Sequence, residues 1–227
     1  EEALIKAVFA ANRRTIVVLV SSFPYAINWS QQNVPAILWT THAAQEQGNA
    51  VADVLFGDYN PGGRLTQTWP KSVDQLPSIE DYDLRKGRTY MYSSAEPLYP
   101  FGHGLSYTTF AYTNLRFSAQ SLTGQVPITV RVDVTNTGTR AGFEVVQLYV
   151  SHINSAVPRP RKELKGFERI NLRPHETKTV EIPLRSEDLS YWDQEHRRWQ
   201  LERGAVTVQA GRSSADVAVQ KRLSVGQ

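Results

Sequence analysis

The 227-residue chain contains no cysteine, which excludes disulfide bonds, thiolate metal sites and a cysteine nucleophile. Long apolar runs are also missing. The run TIVVLV at residues 15–20 is far shorter than the roughly 20 residues that a membrane helix needs. The N-terminus lacks the basic and then apolar pattern of a signal peptide, and it opens in helical register without an initiator methionine. We therefore expect no membrane partner, and we expect the chain to begin partway through a longer protein.

A strong excess of one charge is absent as well. Lys and Arg number 25 against 22 Asp and Glu, which gives a net charge of +3. The one short basic cluster, RPRK at residues 159–162, is typical of a solvated loop, so nucleic acid is not an expected partner. With 41% apolar and 21% charged residues, the composition is that of an ordinary globular protein, and the length suits two domains.

The first 69 residues alternate helix with strand. Residues 1–14 form a predicted amphipathic helix, since their apolar side chains recur at helical spacing. TIVVLV at 15–20 and VPAILW at 34–39 read as parallel strands, with a short helical stretch around INWSQQN between them. The β-branched run at 15–20 predicts a strand buried on both faces. This pattern indicates part of an α/β domain.

The end of that region has clear boundaries. A third helix should end at Gly57, a plausible C-terminal cap, and NPGG after it is a turn signal. RLTQTW at 64–69 alternates enough to predict an edge strand. Residues 70–109 show no period and contain four prolines, so they should form a long connection over a surface; loops of that length are uncommon unless functional or pinned down.

From about residue 110 the period changes to two, in segments such as VPITVRVDVTN and FEVVQLYVS. Their turn signals recur at spacings that suit an immunoglobulin- or fibronectin III-like sandwich of about seven antiparallel strands. The predicted fold class is therefore α/β followed by all-β. The predicted units are the end of an α/β domain (1–69), a connection (70–109) and a β-sandwich (110–227).

Several long motifs carry a family resemblance. QEQGNAVADVLFGDYNPGGRLTQTWP, PLYPFGHGLSYTTFAY, VDVTNTGTRAGFEVVQLYV and RPRKELKGFERINLRPHETKTVEIPL occur in this order. Together they resemble the C-terminal region of family-three glycoside hydrolases, which include β-glucosidases and β-xylosidases. The resemblance implies the end of an α/β sandwich domain and a fibronectin type III-like domain. It also implies an N-terminal (β/α)8 barrel as partner, in cis or as a separate chain, and a periplasmic or extracellular location.

The resemblance has a chemical consequence. A retaining glycosidase needs two carboxyl groups about 5–5.5 Å apart. In the family, the nucleophile lies on the barrel and the general acid lies upstream of the matched region, so no catalytic residue is assigned in this chain. We expect a portion of a retaining exo-β-glycosidase, acting on an oligosaccharide or aryl glycoside only with the barrel. The alternative is a non-catalytic carbohydrate-binding or scaffold module.

Five residues are candidates for sugar contact. His42 and Glu46 follow the end of the second predicted strand, where parallel sheets form ligand crevices, although an acid in the first turn of a helix is also favoured by the helix dipole alone. Arg88 and Tyr90 suit either a sugar ring or the fixing of a loop. His103 has no acidic or histidine neighbour at ligand spacing, so a hydrogen-bonding role is favoured, and neither a metal nor a cofactor is expected.

Two further features have predicted structural roles. Asp58 and Asn60 look like turn formers whose side chains bond nearby backbone. Trp192 and Trp199 suit a stacking platform for a sugar, with packing in the core or a hairpin as the favoured alternative. The segment EPLYPFGHGLSYTTFAY at 96–112 predicts a hinge-like staple between the two domains, with its aromatic residues at the seam.

Overall fold

A computed structural model describes residues 1–124 and 126–226. Its helices are α1 (Glu2–Ala11), α2 (Asn28–Asn33), α3 (Gln47–Phe56), α4 (Thr89–Tyr92) and α5 (Ser186–Leu189). Its strands are β1 (Ile16–Val20), β2 (Ala36–Thr40), β3 (Phe110–Phe117), β4 (Ser121–Leu122), β5 (Ile128–Asn136), β6 (Gly142–Ile153), β7 (Glu163–Leu172), β8 (Thr177–Leu184), β9 (Ser190–Asp193), β10 (Arg198–Leu201), β11 (Gly204–Gly211) and β12 (Val217–Val225). No helix in the described part of the chain is long and apolar enough to cross a membrane.

The α/β part, residues 1–69, contains one pair of parallel strands. β1 and β2 pair in register from Ile16 opposite Ala36 to Val20 opposite Thr40. Phe9, Val17 and Val34 form a small core, with the edge of Trp29 packed against the Phe9 ring. The prediction that β1 is buried on both faces is wrong, because Ile16, Val18 and Val20 are exposed. Two strands and three helices do not supply the second layer that would cover that face.

The sandwich, residues 110–226 as described, consists of two antiparallel layers. One sheet has the order β4-β12-β11-β6-β7, with a short parallel pairing of β4 to β12, and the other has the order β3-β5-β8. Buried and half-buried residues alternate along β5, as expected for a strand with one face in the core. The two sheets contain eight strands instead of about seven, because β4 adds two residues at an edge, and β9 with β10 forms a separate hairpin.

The connecting segment, residues 70–109, returns along the end of the α/β part. The Leu65 amide donates to the His103 carbonyl at 2.8 Å, and the Trp69 amide donates to the Tyr99 carbonyl at 2.9 Å. The predicted edge strand at 64–69 is nevertheless wrong, since only the isolated bridge between Trp69 and Tyr99 forms there. Its partner segment contains Pro97 and Pro100, which have no amide hydrogen to extend a ladder.

Polar contacts join the α/β part to the sandwich. Asn60 donates from Nδ2 to the Ala141 carbonyl at 2.9 Å and accepts from the Tyr107 amide at 2.7 Å. The Tyr107 hydroxyl donates to the Val54 carbonyl at 2.7 Å. The prediction that the Asn60 side chain bonds nearby backbone is therefore wrong, because its backbone partners are Ala141, in the sandwich, and Tyr107, near the end of the connecting segment. Tyr107 lies at the seam, whereas the predicted seam residues Phe110 and Tyr112 are buried in the sandwich core.

A buried ion pair lies beneath this seam. Arg64 Nη2 donates to Glu144 Oε2 at 2.6 Å, and the Tyr112 hydroxyl donates to Glu144 Oε1 at 2.6 Å. The side chains of Arg64 and Glu144 are 8% and 0% exposed, so water screens this pair very little. Burial raises the pKa of Glu144, and the Arg64 guanidinium opposes that shift. The pair ties the end of the α/β part to β6 in the centre of the sandwich.

The basic segment at 159–162 forms hydrogen bonds with other parts of the chain. The Arg161 amide donates to the Met91 carbonyl at 2.8 Å, and Arg161 Nη1 donates to the Ser93 carbonyl at 2.7 Å. Lys162 Nζ donates to the Ser214 carbonyl at 2.8 Å. The interpretation as a solvated loop is wrong, since this segment ties the sandwich to the connecting segment.

Candidate functional site

The carboxyl ends of β1 and β2 meet at one edge of the sheet. Ser21 and Ser22 follow β1, and His42 follows β2. Ser22 Oγ and His42 Nδ1 are 3.0 Å apart, and Trp39 Nε1 donates to Ser21 Oγ at 3.0 Å. His42 is exposed at this edge, where open parallel sheets place their ligands. Hydroxyl, imidazole and indole groups therefore meet there in one polar cluster.

Glu46 lies at the N-cap position of α3, just beyond this edge. Its side chain makes no capping bond to the helix backbone. Instead, the carboxylate accepts from Asn49 Nδ2 at 2.5 Å and remains exposed. The favourable field of the helix dipole accounts for an acid at this position without any ligand. The contacts therefore leave the carboxylate accessible and give it no second partner from β1 or β2.

A row of aromatic rings connects the sheet edge to His103. Trp39 packs edge to face against Trp69, and Trp69 packs in the same way against Tyr99, with 5.9 Å between centroids in each case. Tyr99 stacks on the His103 ring at 5.2 Å. Trp69 is 2% exposed and forms the centre of the row. Burial lowers the pKa of His103, and the nearby Arg64 cation lowers it further, so the imidazole is neutral at pH 7.

Arg88 and Tyr90 line a separate cleft of about 460 Å³. Pro24, from the loop after β1, contributes to its wall, so the cleft adjoins the sheet edge. Gln67 and Phe101 contribute further walls. The structure thus brings Arg88 and Tyr90 together, and it places His42 with Ser22 and His103 on the aromatic row. A single pocket that contains all five candidates is not formed by the described residues.

The cleft residues also have clear structural contacts. Arg88 donates from Nε to the Asp81 carbonyl at 2.8 Å and from Nη2 to the Ser78 carbonyl at 2.5 Å. The Tyr90 ring stacks on Phe101 at 4.6 Å, and its hydroxyl accepts from the Leu164 amide at 3.1 Å. These contacts fold the connecting segment on itself and attach it to β7. Contact of Arg88 or Tyr90 with a sugar stays a prediction.

Sequence reasoning missed Trp69 and Tyr99 as the link between sheet edge and connection. The pattern TQTWP predicted only an edge strand. A sequence does not show whether its tryptophan packs within a strand or against a distant loop. The closest available signal was PLYPFGHG, whose aromatic residues and glycines predicted a staple. The pairing of that staple with residues 65–69 needed the structure.

Comparison with known proteins finds two family models that match different parts of the chain. Residues 1–107 match the glycosyl hydrolase family 3 C-terminal domain, and residues 144–214 match the fibronectin type III-like domain. The chain belongs to the C-terminal region of glycosyl hydrolase family 3. The resemblance read from the sequence motifs is thereby confirmed, as is the fold class of α/β followed by all-β.

Relatives within family 3 are similar along nearly the whole chain. A periplasmic beta-glucosidase of Salmonella typhimurium is 42% identical over 94% of this chain, and a beta-xylosidase of Formosa agariphila is 42% identical over 94%. The crystal structure of a beta-glucosidase from Kluyveromyces marxianus in complex with glucose superposes with a TM-score of 0.88 at 38% identity, over 99% of the chain. The chain spans 29%, 30% and 28% of the lengths of these three proteins.

The pKa values of two half-buried histidines predict how stability depends on pH. Burial lowers the pKa of His103 and of His152, and the cations Arg64 and Arg159 act in the same direction. In both cases a carboxylate, Asp216 or Glu202, opposes the shift. Between the ordinary pKa of 6.5 and the lower folded values, the unfolded chain binds more protons. Stability should therefore be greatest above pH 6.5 and fall on acidification.

Urea midpoints measured at pH 7.5 and at pH 5.5 check this expectation. The substitution His152→Gln removes one of the two groups and should reduce the loss between the two pH values. An unchanged loss in His152→Gln, or a midpoint that rises at pH 5.5, would contradict the assignment.

Proposed function

We propose that this chain is the C-terminal portion of a retaining, exo-acting β-glycosidase, either a β-glucosidase or a β-xylosidase. It hydrolyses O-glycosidic bonds of an oligosaccharide or aryl glycoside only together with an N-terminal (β/α)8 barrel, in cis or as a separate chain. Two family matches and the names of the relatives support the proposal. So does the share of about 30% that the chain covers of each relative.

The observation that carries the proposal is the uncovered apolar surface of the first 109 residues. Of the described large apolar side chains that are exposed, seventeen lie in residues 1–109 and four in the sandwich. The larger group comprises Leu4, Val8, Ile16, Val18, Val20, Phe23, Tyr25, Leu55, Phe56, Tyr59, Val73, Leu76, Ile79, Tyr82, Leu84, Leu105 and Tyr107. Exposed apolar side chains concentrated in one part of a chain in this number indicate surfaces that bind other protein. A barrel domain and further sheet layers are the partners that fit them.

The sugar contacts belong to the same proposal. His42 and Glu46 lie at the sheet edge, where a barrel packed against the exposed face leaves a crevice. His103 is connected to this edge by the row of aromatic rings, since it stacks on Tyr99. The cleft that Arg88 and Tyr90 line adjoins the same edge. The domain division at residues 69 and 109 is part of the proposal as well.

A chimera tests the proposal directly. The region of the Salmonella typhimurium relative that matches this chain is replaced by residues 1–227, and hydrolysis of 4-nitrophenyl β-glucoside and β-xyloside is measured. We expect the chimera to hydrolyse at least one substrate and the isolated chain to hydrolyse neither. The relative with the matching region deleted serves as the matched control and should be inactive.

Two results would overturn the proposal. Turnover by the isolated 227-residue chain would show that it contains its own catalytic carboxylates. Full activity of the deleted control would show that this region is dispensable, which favours a separate carbohydrate-binding or scaffold module.

A further inference from the structure

We infer that the β9–β10 hairpin of the sandwich is a binding site for a pyranose ring of a β-linked oligosaccharide, with Trp199 as the stacking surface and Trp192 as the side wall. The two tryptophans lie directly opposite each other in the hairpin register. Their centroids are 5.7 Å apart and their planes meet at 72°. The choice of a β-linked oligosaccharide as ligand rests on the proposed function, whereas the surface itself belongs to the sandwich. Binding to the isolated chain is measured without hydrolysis, so the two proposals can fail separately.

Exposure is the first argument. The favoured prediction placed these indoles in a core or in hairpin packing, and they do pack on each other across the hairpin. Trp192 nevertheless remains 48% exposed and Trp199 69% exposed, so the core prediction is wrong. The hairpin belongs to neither sheet of the sandwich. Their cross-strand packing stabilises the hairpin, but it leaves much of both indoles in water and available to a ligand.

The hairpin is also held by contacts at both ends. At its base, Leu201 packs against the sandwich core, and the Arg159 guanidinium lies 4.9 Å from the centre of the Tyr191 ring. At its tip, Asp193 Oδ1 accepts from the Glu195 amide at 3.0 Å, and Asp193 Oδ2 lies 2.7 Å from His196 Nδ1. Side chains held in this way lose little conformational freedom when a ligand binds.

The apolar area that Trp192 and Trp199 expose indicates the kind of ligand. From their exposed fractions, the two indoles present on the order of 300 Å² of apolar surface. A standard protein interface buries about 800 Å² on each partner. The other exposed large apolar side chains described in the sandwich are Val126 and Phe167, which lie on other elements. The apolar part of the patch is therefore small for a stable protein interface, and the flat face of one indole suits the stacking of one sugar ring.

The polar surroundings agree with a sugar. The tip and outer strand of the hairpin contain Arg197, Arg198 and Glu195, all exposed. Sites for small polar ligands combine an apolar surface with a few hydrogen-bonding groups that fix orientation. Because the two ring planes form a corner and not one flat platform, the site accommodates a single ring and does not extend along a chain.

Affinity electrophoresis of the 227-residue chain in gels with soluble β-glucan or xylan tests the inference, with titration of cellopentaose and xylopentaose by indole fluorescence. We expect dissociation constants in the millimolar range and at least a tenfold loss in Trp199→Ala. The matched control is Phe167→Ala, which removes another exposed aromatic ring of the sandwich, 64% exposed, and should bind as the parent does.

Thermal melts establish that each variant is folded, which the exposure of Trp199 leads us to expect. Equal binding by Trp199→Ala and the parent, or no binding of any of the four carbohydrates by the parent, would overturn the inference. So would a Trp199→Ala chimera that loses its assembly with the rest of the enzyme, because that result would make the hairpin a protein interface.

Discussion

Replacing Glu144 by Gln should destabilise the chain by about 3–5 kcal/mol, since the substitution leaves the Arg64 guanidinium buried without its anion. Arg64 Nη2 lies 2.6 Å from Glu144 Oε2, and both side chains are nearly inaccessible to water. The neutral amide keeps the volume of the carboxyl group, so packing around Tyr112 should change little. In a protein of this size, a loss of this magnitude lowers the thermal midpoint by roughly 10 °C. Thermal and urea unfolding followed by circular dichroism measure it.

The control is an exposed ion pair of the same chemistry. Arg131 Nε lies 2.7 Å from Glu181 Oε1 on the outside of the sandwich, with the two side chains 36% and 55% exposed. The substitution Glu181→Gln should cost less than about 1 kcal/mol, because water replaces the lost partner. Similar losses for the two variants would mean that burial of the Arg64 pair has no energetic consequence.

A double variant separates the charge from the packing. Arg64→Met with Glu144→Leu removes both charges and keeps apolar volume at the seam. Much of the stability lost in Glu144→Gln should return, because neither side chain then leaves an uncompensated charge. A double variant as unstable as the single one would indicate that the hydrogen bond from Tyr112 is the larger contribution.

The secondary structure could be predicted from the sequence wherever apolar residues recur with a constant spacing. Alternation in segments such as ITVRVDVTN gave the sandwich, and apolar runs separated by a helical stretch gave the parallel pair β1 and β2. Period alone does not say what covers a strand. The run IVVLV has the composition of a strand buried on both faces, yet Val18 is exposed, because no described residues pack a second layer over that face.

Contacts between segments that are distant in the sequence could not be predicted from the spacing of apolar residues. Glu144 occurs in FEVVQ, where it looks like one more outward-facing polar residue, and Arg64 follows two turn-forming glycines. Their pairing across 80 positions depends on how residues 60–69 lie over β6. The exposure of Trp199 was also not predicted, since a tryptophan in a sequence normally indicates a buried side chain. The sequence therefore identified which residues are candidates for the site, and the three-dimensional packing determines which of them are in contact.

Replacing Gly102 in the staple by Ala should destabilise the chain by about 3 kcal/mol or more. Gly102 has a φ of +83°, which costs an alanine about 1–2 kcal/mol. The new methyl carbon would overlap with Gln147 Oε1. That side chain is held in place, because Nε2 donates to the carbonyls of Gly102 and Arg212, and Oε1 accepts from the Tyr149 hydroxyl at 2.6 Å. Moving it sacrifices buried hydrogen bonds worth about 1 kcal/mol each.

Gly87 to Ala is the matched control, because Gly87 has a φ of +93° and no atom within 4 Å of the added carbon. It should lose only the backbone cost of about 1–2 kcal/mol. The difference between the two variants therefore reports the contact of Gly102 with Gln147, which connects the staple to β6. Equal unfolding midpoints for the two variants would show that Gln147 moves aside freely and that the staple is not fixed by the sandwich.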